Sequence, residues 1–336
     1  MTWRVVVLGG GRSSEHDVSR RSAASVAGGL REAGHDVVEL LLERDGAWRH
    51  ADGTGDVTLT PGAGLLGADV AFPVLHGPFG EDGAVQGLLE LLDVPYVGSP
   101  VLGSAVCMDK LLFKDVMATA GIAQVDYAPV HAHEWRRDRD GVLERLADLG
   151  LPVWVKPSRL GSSVGIAPAR RADELGPAID AALAHDARVI VEASAPGIEA
   201  ETAVLGPGDD PRVSEIGEIV LADRGPDAWY DYEAKYTPGG MELRVPARIS
   251  ATAAERVREL ARRAFTLACC DGLARADFFV DGESVLLNEL NTLPGFTETS
   301  VYGALWQASG VAYPDLVSRL VELAIERHAR EREQAY

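Results

Sequence analysis

The chain has 336 residues, 46% of them hydrophobic and 25% charged, the composition of a globular protein with room for two or three domains. Lys plus Arg number 32 against 51 Asp plus Glu, a formal charge of −19 that argues against general nucleic-acid affinity, because phosphate contacts need a cationic surface. It leaves room for a small anionic substrate held by a few local lysines and arginines. No apolar run of about 18 residues occurs, so no membrane span is expected, and Met1 leads straight into a strand pattern with no signal peptide. Cys107, Cys269 and Cys270 are an odd count with an adjacent pair and no metal-ligand spacing. They read as reduced packing residues of a cytoplasmic protein.

In chain order, "RVVVLGG" and "DVSRRSAASVAGGLREAGHDVVELLL" predict strand, helix, strand. "GADVAFPVLHG" reads as a buried parallel strand, and "GAVQGLLELLDVPYVGS" as a helix followed by a short strand. This alternation predicts an open parallel α/β sheet through about residue 103. "MDKLLFKDVMATAGI" has helical spacing and ends at a glycine, and "LPVWVKPSRLGSSVGIAPA" reads as a hairpin with a Gly/Ser-rich turn. "DELGPAIDAALAHDARVIVEA" gives a helix and a strand. From about residue 192 the pattern is strand-rich, with helices expected at about 250–270 and 314–332. Residues 222–245 carry Gly, Pro, Asp and Tyr without a period, which predicts a long loop of the kind used as a lid. The expected domains are 1–103, 104–191 and 192–336.

Three clusters carry chemistry. In "VVVLGGGRSSEHDVS" the glycines follow a strand, but a dinucleotide fingerprint would need glycine where Ser14 stands, and its acidic partner is ambiguous among Glu32, Asp36 and Glu39. Glu15 sits where a phosphate would meet a carboxylate. It is better explained as a partner for a substrate ammonium, with helix N-terminal N–H groups taking an anion nearby, as a zwitterionic amino acid would require. A tight βα turn without a ligand is the alternative. In "KPSRLGSSVG", Lys156 ends a buried strand and the turn offers N–H groups and the Ser162 and Ser163 hydroxyls. That suits an anion-binding lid over a phosphate, and not a Walker loop, in which the lysine follows the glycines. A plain hairpin with a surface lysine is the bland reading. In "ARADFFV", Arg275, Asp277 and Phe279 share one strand face, as do Glu289 and Asn291 in "LLNELN". Two carboxylates and an amide suit magnesium held together with triphosphate oxygens. Arg275 could neutralise charge on a transferring phosphoryl group.

These segments, with "HGPFGEDGAVQGLLELLDVPYVGS", "MDK", "YDYEAKY" and "NELNTLPGFTETS", resemble in order and spacing the D-alanine–D-alanine ligases of the ATP-grasp superfamily, over about residues 4–325. The resemblance implies an ATP-grasp fold behind the N-terminal α/β domain. It implies ATP-dependent joining of two D-alanines through an acyl phosphate, for peptidoglycan precursor synthesis in the cytoplasm. By similarity Glu15 binds the ammonium of the first D-alanine and connects through Ser162 to Tyr236, clamping the loop 222–245 over the intermediates. His76 lies near that substrate. Lys110, Lys156 and Lys235 contact the ATP phosphates, with Ser163 in the phosphate-covering turn. Glu192 meets the adenine edge, Glu199 the ribose and Phe279 the adenine face. Arg275 and the Gly295 N–H form an oxyanion hole, and Ser300 binds the carboxylate of the second D-alanine. Asp277, Glu289 and Asn291 hold two magnesium ions, with manganese as a substitute. Family members are commonly dimers.

The chain departs from the family after Glu192, where "ASA" replaces a lysine or acid and a bulky residue, and at Gly303, where relatives often carry proline. Related ligases that join D-alanine to D-lactate, D-serine or another acceptor are the alternative within the enzyme class. A catalytically dead binding protein and a nicotinamide dehydrogenase are the alternatives outside it. Tyr236 in "EAKY" and the absence of histidine from 222–245 favour dipeptide formation.

Overall fold

The computed structural model describes residues 1–161, 164–221, 240–297 and 299–334. The opening apolar run forms β1 (Arg4–Gly10), fully buried from Val5 onward, and α1 (His16–Glu32) follows. Gly10 has φ +90, and a Cβ there would lie 2.4 Å from the Leu42 carbonyl oxygen, so the glycine is required by close strand approach. β2 (Asp36–Leu42) and β4 (Val70–Pro73) flank β1 in parallel register. The sheet order is β3-β2-β1-β4. β3 (Trp48–His50) runs antiparallel to β2, an edge the sequence reading did not foresee. The short strand expected after α2 (Ala84–Leu91) is only a single bridge between Tyr96 and Ala71.

Two further helices lead into the second sheet: α3 (Val101–Met108), not anticipated, and α4 (Lys110–Thr119). Asp109 caps α4 by accepting from the Leu112 N–H at 3.2 Å. The same carboxylate accepts from Ser158 Oγ at 2.7 Å and pairs with Arg188, so the cap also fixes α4 against the neighbouring strands. That sheet has the order β5-β8-β6-β7, all antiparallel: β5 (Tyr127–His131), β6 (Val153–Pro157), β7 (Ala167–Ala169) and β8 (Arg188–Ala193). β6 and β7 are the expected hairpin. α5 (Ala132–Arg137), α6 (Arg139–Leu146) and α7 (Ala172–Leu183) accompany it, and the sheet has its own core around Val130, Trp135, Val155, Ile179 and Val191.

The third sheet is antiparallel with order β11-β10-β9-β12-β13: β9 (Ile198–Gly206), β10 (Arg212–Leu221), β11 (Met241–Arg244), β12 (Gly272–Asp281) and β13 (Ser284–Asn291). β11 falls inside the segment expected to be all loop, because Met241–Arg244 pairs with Leu221–Glu218. The amphipathic α8 (Ala251–Leu267) buries Val257, Leu260, Ala264 and Phe265 with one face of this sheet. α9 (Val301–Ala308) and α10 (Tyr313–Arg332) close the chain. α10 buries Leu316, Val317, Leu320 and Val321 in the same core as Val5, Val7, Val26 and Leu30 of the first sheet and α1.

All three cysteines are free. Cys107 and Cys270 are buried with their Sγ atoms 3.5 Å apart, whereas Cys269 is exposed, so packing describes only two of them.

Candidate active site

The three sheets meet at a cleft of about 320 Å³, within the range of cavities that hold small ligands. One wall is the face of the second sheet that carries Trp154, Lys156 and Glu192. The opposite wall is the face of the third sheet that carries Glu199, Glu201, Arg275, Asp277, Phe279, Glu289 and Asn291. Lys110 lines it from α4, and Glu15, His76 and Glu81 close its N-terminal end.

Strand register builds the second of these walls. Asp277 lies opposite Glu201 on β9 and opposite Glu289 on β13, so three carboxylates stand in a row across three strands. A β-bulge follows directly, between Asp277 and Phe278. Arg275 neutralises part of the row: its Nε and Nη2 donate to the two Asp277 oxygens at 2.7 and 2.6 Å, and Nε lies 3.0 Å from Glu201 Oε2. Lys110 Nζ stands 3.7 Å from Glu289 and donates to the Leu160 carbonyl at 2.8 Å. Asn291 Oδ1 accepts from the Leu293 N–H at 3.0 Å. Among the described residues no three His, Cys, Asp or Glu side chains converge as a metal cage. The fit to magnesium therefore rests on two carboxylates and an amide. Hard oxygen donors, already facing cationic side chains and open to a cleft, suit an ion that takes its other ligands from substrate phosphates.

At one end of the cleft, Glu192 is 3% exposed. Lys156 Nζ lies 2.5 Å from one carboxylate oxygen and Lys114 Nζ 3.0 Å from the other. Burial works against this charge, but the two lysines outweigh it and hold the carboxyl at about 2. Burial likewise opposes the Lys156 ammonium, and Glu192, with Glu289 and Glu199, keeps its value above the ordinary lysine range. Glu199 and Phe279 are cross-strand neighbours beside it.

At the other end, Glu15 occupies the position before α1 and is 6% exposed. Its Oε2 would lie 2.9 Å from a Cβ added at Gly77 and 3.4 Å from one added at Gly161, so it sits between the "HGPFGEDG" loop and the hairpin turn. Ser13 ties the loop between β1 and α1 to the "HGPFGEDG" loop by donating to the His76 carbonyl at 2.6 Å. His76 Nδ1 donates to the Leu293 carbonyl at 3.0 Å, an acceptor that fixes the proton on that nitrogen, and Nε2 faces Ser22 Oγ at 3.2 Å. Burial disfavours a charged His76, yet Glu81 at 3.5 Å and Glu15 prevail and raise its value. Gly295 lines the cleft beside this network. Ser300 does not line it; its hydroxyl accepts from the Thr297 N–H at 3.0 Å and would lie 3.3 Å from a Cβ at Gly295.

The structure thus brings Glu15, His76, Lys110, Lys156, Glu192, Glu199, Arg275, Asp277, Phe279, Glu289, Asn291 and Gly295 to one cleft. Ser162, Ser163, Lys235 and Tyr236, with most of the loop 222–245, lie outside the described residues. Sequence reasoning missed Glu81, Glu201 and Lys114. The first lies in a motif already singled out. The second is two residues from Glu199 on the same strand face, a readable signal.

The family model for the D-ala D-ala ligase C-terminus matches residues 116–322, and the N-terminus model matches 4–65 and 57–99. The chain is 46% identical to a D-alanine–D-alanine ligase of Deinococcus radiodurans, covering 97% of this chain and 99% of that protein. It is 42% identical to one of Clostridium novyi, with the same coverages of 97% and 99%. The structure of the D-alanine–D-alanine ligase from Coxiella burnetii superposes with a TM-score of 0.87 at 35% identity, over 99% of this chain and 96% of that one. The VanG D-Ala:D-Ser ligase from Enterococcus faecalis superposes at 0.85 with 31% identity, over 96% and 100%. The fold is the ATP-grasp arrangement behind an open α/β domain. With both of the family's halves matched in order along its length, the chain belongs to the D-alanine–D-alanine ligases.

Proposed function

We propose that this protein joins two D-alanines to D-alanyl-D-alanine at the expense of ATP. The observation that carries the reading is the joining, in one cleft, of a buried carboxylate at an amino-acid end (Glu15), an acidic row with its arginine (Asp277, Glu289, Arg275) and a lysine-held carboxylate at a base end (Glu192). ATP lies along the cleft with adenine at Glu192 and Phe279, ribose at Glu199 and phosphates at Lys110, Lys156 and Lys235. Asp277, Glu289 and Asn291 would hold two magnesium ions, which would draw charge from the phosphate oxygens.

Glu15 takes the ammonium of the first D-alanine, and His76 with Glu81 fixes the loop against which it lies. The carboxylate of that D-alanine accepts the γ-phosphoryl group, giving an acyl phosphate and ADP. The amine of the second D-alanine, held by its carboxylate at Ser300, attacks the acyl carbon. Negative charge then grows on the former carbonyl oxygen. Arg275 and the Gly295 N–H face that position, and stabilising this charge lowers the barrier. Collapse expels phosphate and leaves the dipeptide. By the same reading Glu15 would connect through Ser162 to Tyr236, both outside the described residues, and that network would clamp the segment 222–245 over the acyl phosphate and exclude water. The domains are 1–103, 104–193 and 194–336, the second boundary moved from 191 so that β8 (Arg188–Ala193) stays whole in its sheet, and the enzyme is a cytoplasmic dimer that supplies peptidoglycan precursor.

The test is magnesium-dependent phosphate release from ATP with D-alanine alone, then with D-alanine plus D-lactate, D-serine or glycine, the products being identified by mass. D-Alanyl-D-alanine is expected to dominate in every mixture. A dominant mixed product would move the chain to a specialised branch, and no phosphate release with D-alanine would overturn the reading.

A further inference from the structure

α4 carries Lys110 and Lys114 one helical turn apart on one face. Lys110 reaches the hairpin and Glu289, but Lys114 takes no part in the reaction as derived. It does not line the cleft; it stands behind Glu192, 1% exposed. Among the described residues Glu192 is the only carboxylate with which Lys114 forms an ion pair, at 3.0 Å and out of hydrogen-bond alignment. Its Nζ also lies 5.6 Å from the Tyr127 ring centroid, and Tyr127 faces Glu192 across the β5–β8 ladder. The Tyr127 hydroxyl donates to Asp115 at 2.6 Å, which holds the ring, and Asp109 anchors the start of the helix.

Lys156, on the other oxygen of Glu192, is needed at the phosphates in the reaction derived above. One ammonium cannot give full strength to a phosphate oxygen and to Glu192 at once. As Lys156 is drawn to the nucleotide, Glu192 would remain a buried, uncompensated charge unless a second cation stayed behind it. Lys114 is that cation, and its burial leaves it nowhere else to go.

We propose that Lys114 is a positioning residue for base selectivity: it keeps Glu192 a carboxylate, aimed to accept from the exocyclic amine of adenine and to repel a purine that carries a carbonyl oxygen there. The proposal rests on the ligase reading with adenine at Glu192. A neutral Glu192 could donate to that carbonyl oxygen, so the negative charge is itself the discriminating element.

The test compares ATP with inosine triphosphate, in which a carbonyl oxygen replaces the amine. Phosphate release is followed at saturating D-alanine and magnesium for the unmodified enzyme, Lys114→Met and Lys114→Gln. Lys114→Met is expected to raise KM for ATP about tenfold, with a much smaller fall in kcat, and to lower the ATP-to-inosine-triphosphate ratio of kcat/KM by about tenfold. KM for D-alanine should stay within about twofold of the unmodified value. Lys114→Gln keeps a polar side chain behind Glu192 and removes the charge; it carries the test if Lys114→Met does not fold, with a fall in the ratio of about threefold or more. An unchanged ratio in the folded variant, whatever happens to its melting temperature, overturns the proposal, since a mere structural counter-charge would not move it. A fall in kcat at unchanged KM would also overturn it, by placing Lys114 at the phosphates. Failure of the ligase reading shows separately, as no D-alanine-dependent phosphate release by the unmodified enzyme.

Discussion

Gly77→Ala isolates the contact between the "HGPFGEDG" loop and Glu15. At φ +77 an alanine is strained by about 1–2 kcal/mol. Its Cβ would also lie 2.9 Å from Glu15 Oε2 and 3.1 Å from Ser13 Cβ, so the carboxylate must withdraw by a few tenths of an ångström. Unfolding entropy of about 2.1 cal/mol/K per residue over 336 residues turns the strain into a fall in Tm of about 2 °C. A misplacement of 1 Å in a reacting group costs roughly a hundredfold, so a shift of about half that predicts a loss near tenfold in kcat/KM for D-alanine. KM for ATP should hold, because the proposed adenine position is at the far end of the cleft. Gly34→Ala is the control: its φ is +88, but nothing lies within 4 Å of the added methyl. It should lose the same 2 °C or so and keep its kinetics. The assay is steady-state phosphate release with D-alanine varied at saturating ATP, paired with thermal melts. Unchanged D-alanine kinetics in Gly77→Ala, with the melting loss present, would refute the claim that Glu15 meets the first substrate.

Glu289→Ala removes one member of the acidic row and the partner of Lys110 at 3.7 Å; turnover should fall more than about a hundredfold even at saturating magnesium, and near-normal rates would sink the metal assignment. Glu192 is held at about 2 against an ordinary 4.5, so its contribution to stability is whole above 4.5, shrinks as pH falls and is gone below about 2. In melts between about pH 5 and pH 3, Glu192→Gln should lose less stability with falling pH than the unmodified chain, and parallel curves would contradict the pairing. Arg327 is 5% exposed, donates to the carbonyls of Tyr96 at 2.9 Å and of Gly98, and faces Asp271 at 3.7 Å. Arg327→Ala leaves these buried and should cost about 3 kcal/mol, or roughly 4 °C in Tm, and a loss under about 1 °C would refute the assignment.

Two of the three carboxylates of the acidic row were legible because strands alternate with a period of two: Arg275, Asp277 and Phe279 share one face of their strand, and Glu289 and Asn291 one face of the next; Glu201 was not singled out. The register that sets Asp277 opposite Glu289, and the bulge that follows, depend on tertiary pairing and left no local trace. Lys156 was expected at a phosphate and is found on Glu192; both follow from a lysine at the end of a buried strand, but sequence does not say which anion it meets first. Lys114 was invisible because a lysine four residues after another on a helix ordinarily reads as a solvated face, and only tertiary structure sets it behind Glu192 and beside the Tyr127 ring. The antiparallel edge strand Trp48–His50 is three residues long, and its exposed neighbours give no hydrophobic period to detect.

The shared core of the first sheet and α10 has a consequence for how the molecule is made. Val26 and Leu30 of α1 are covered by Leu316, Val317, Leu320 and Val321, which leave the ribosome almost 300 residues later. At translation rates of about 5–20 residues per second, that apolar face waits roughly 15 to 60 s for its partner. The second sheet closes its core within residues 130–191, so it can fold while the rest is still being synthesised. The first strand of the chain is therefore among the last to reach its native packing, and in that interval the nascent N-terminal segment is a natural client for chaperones.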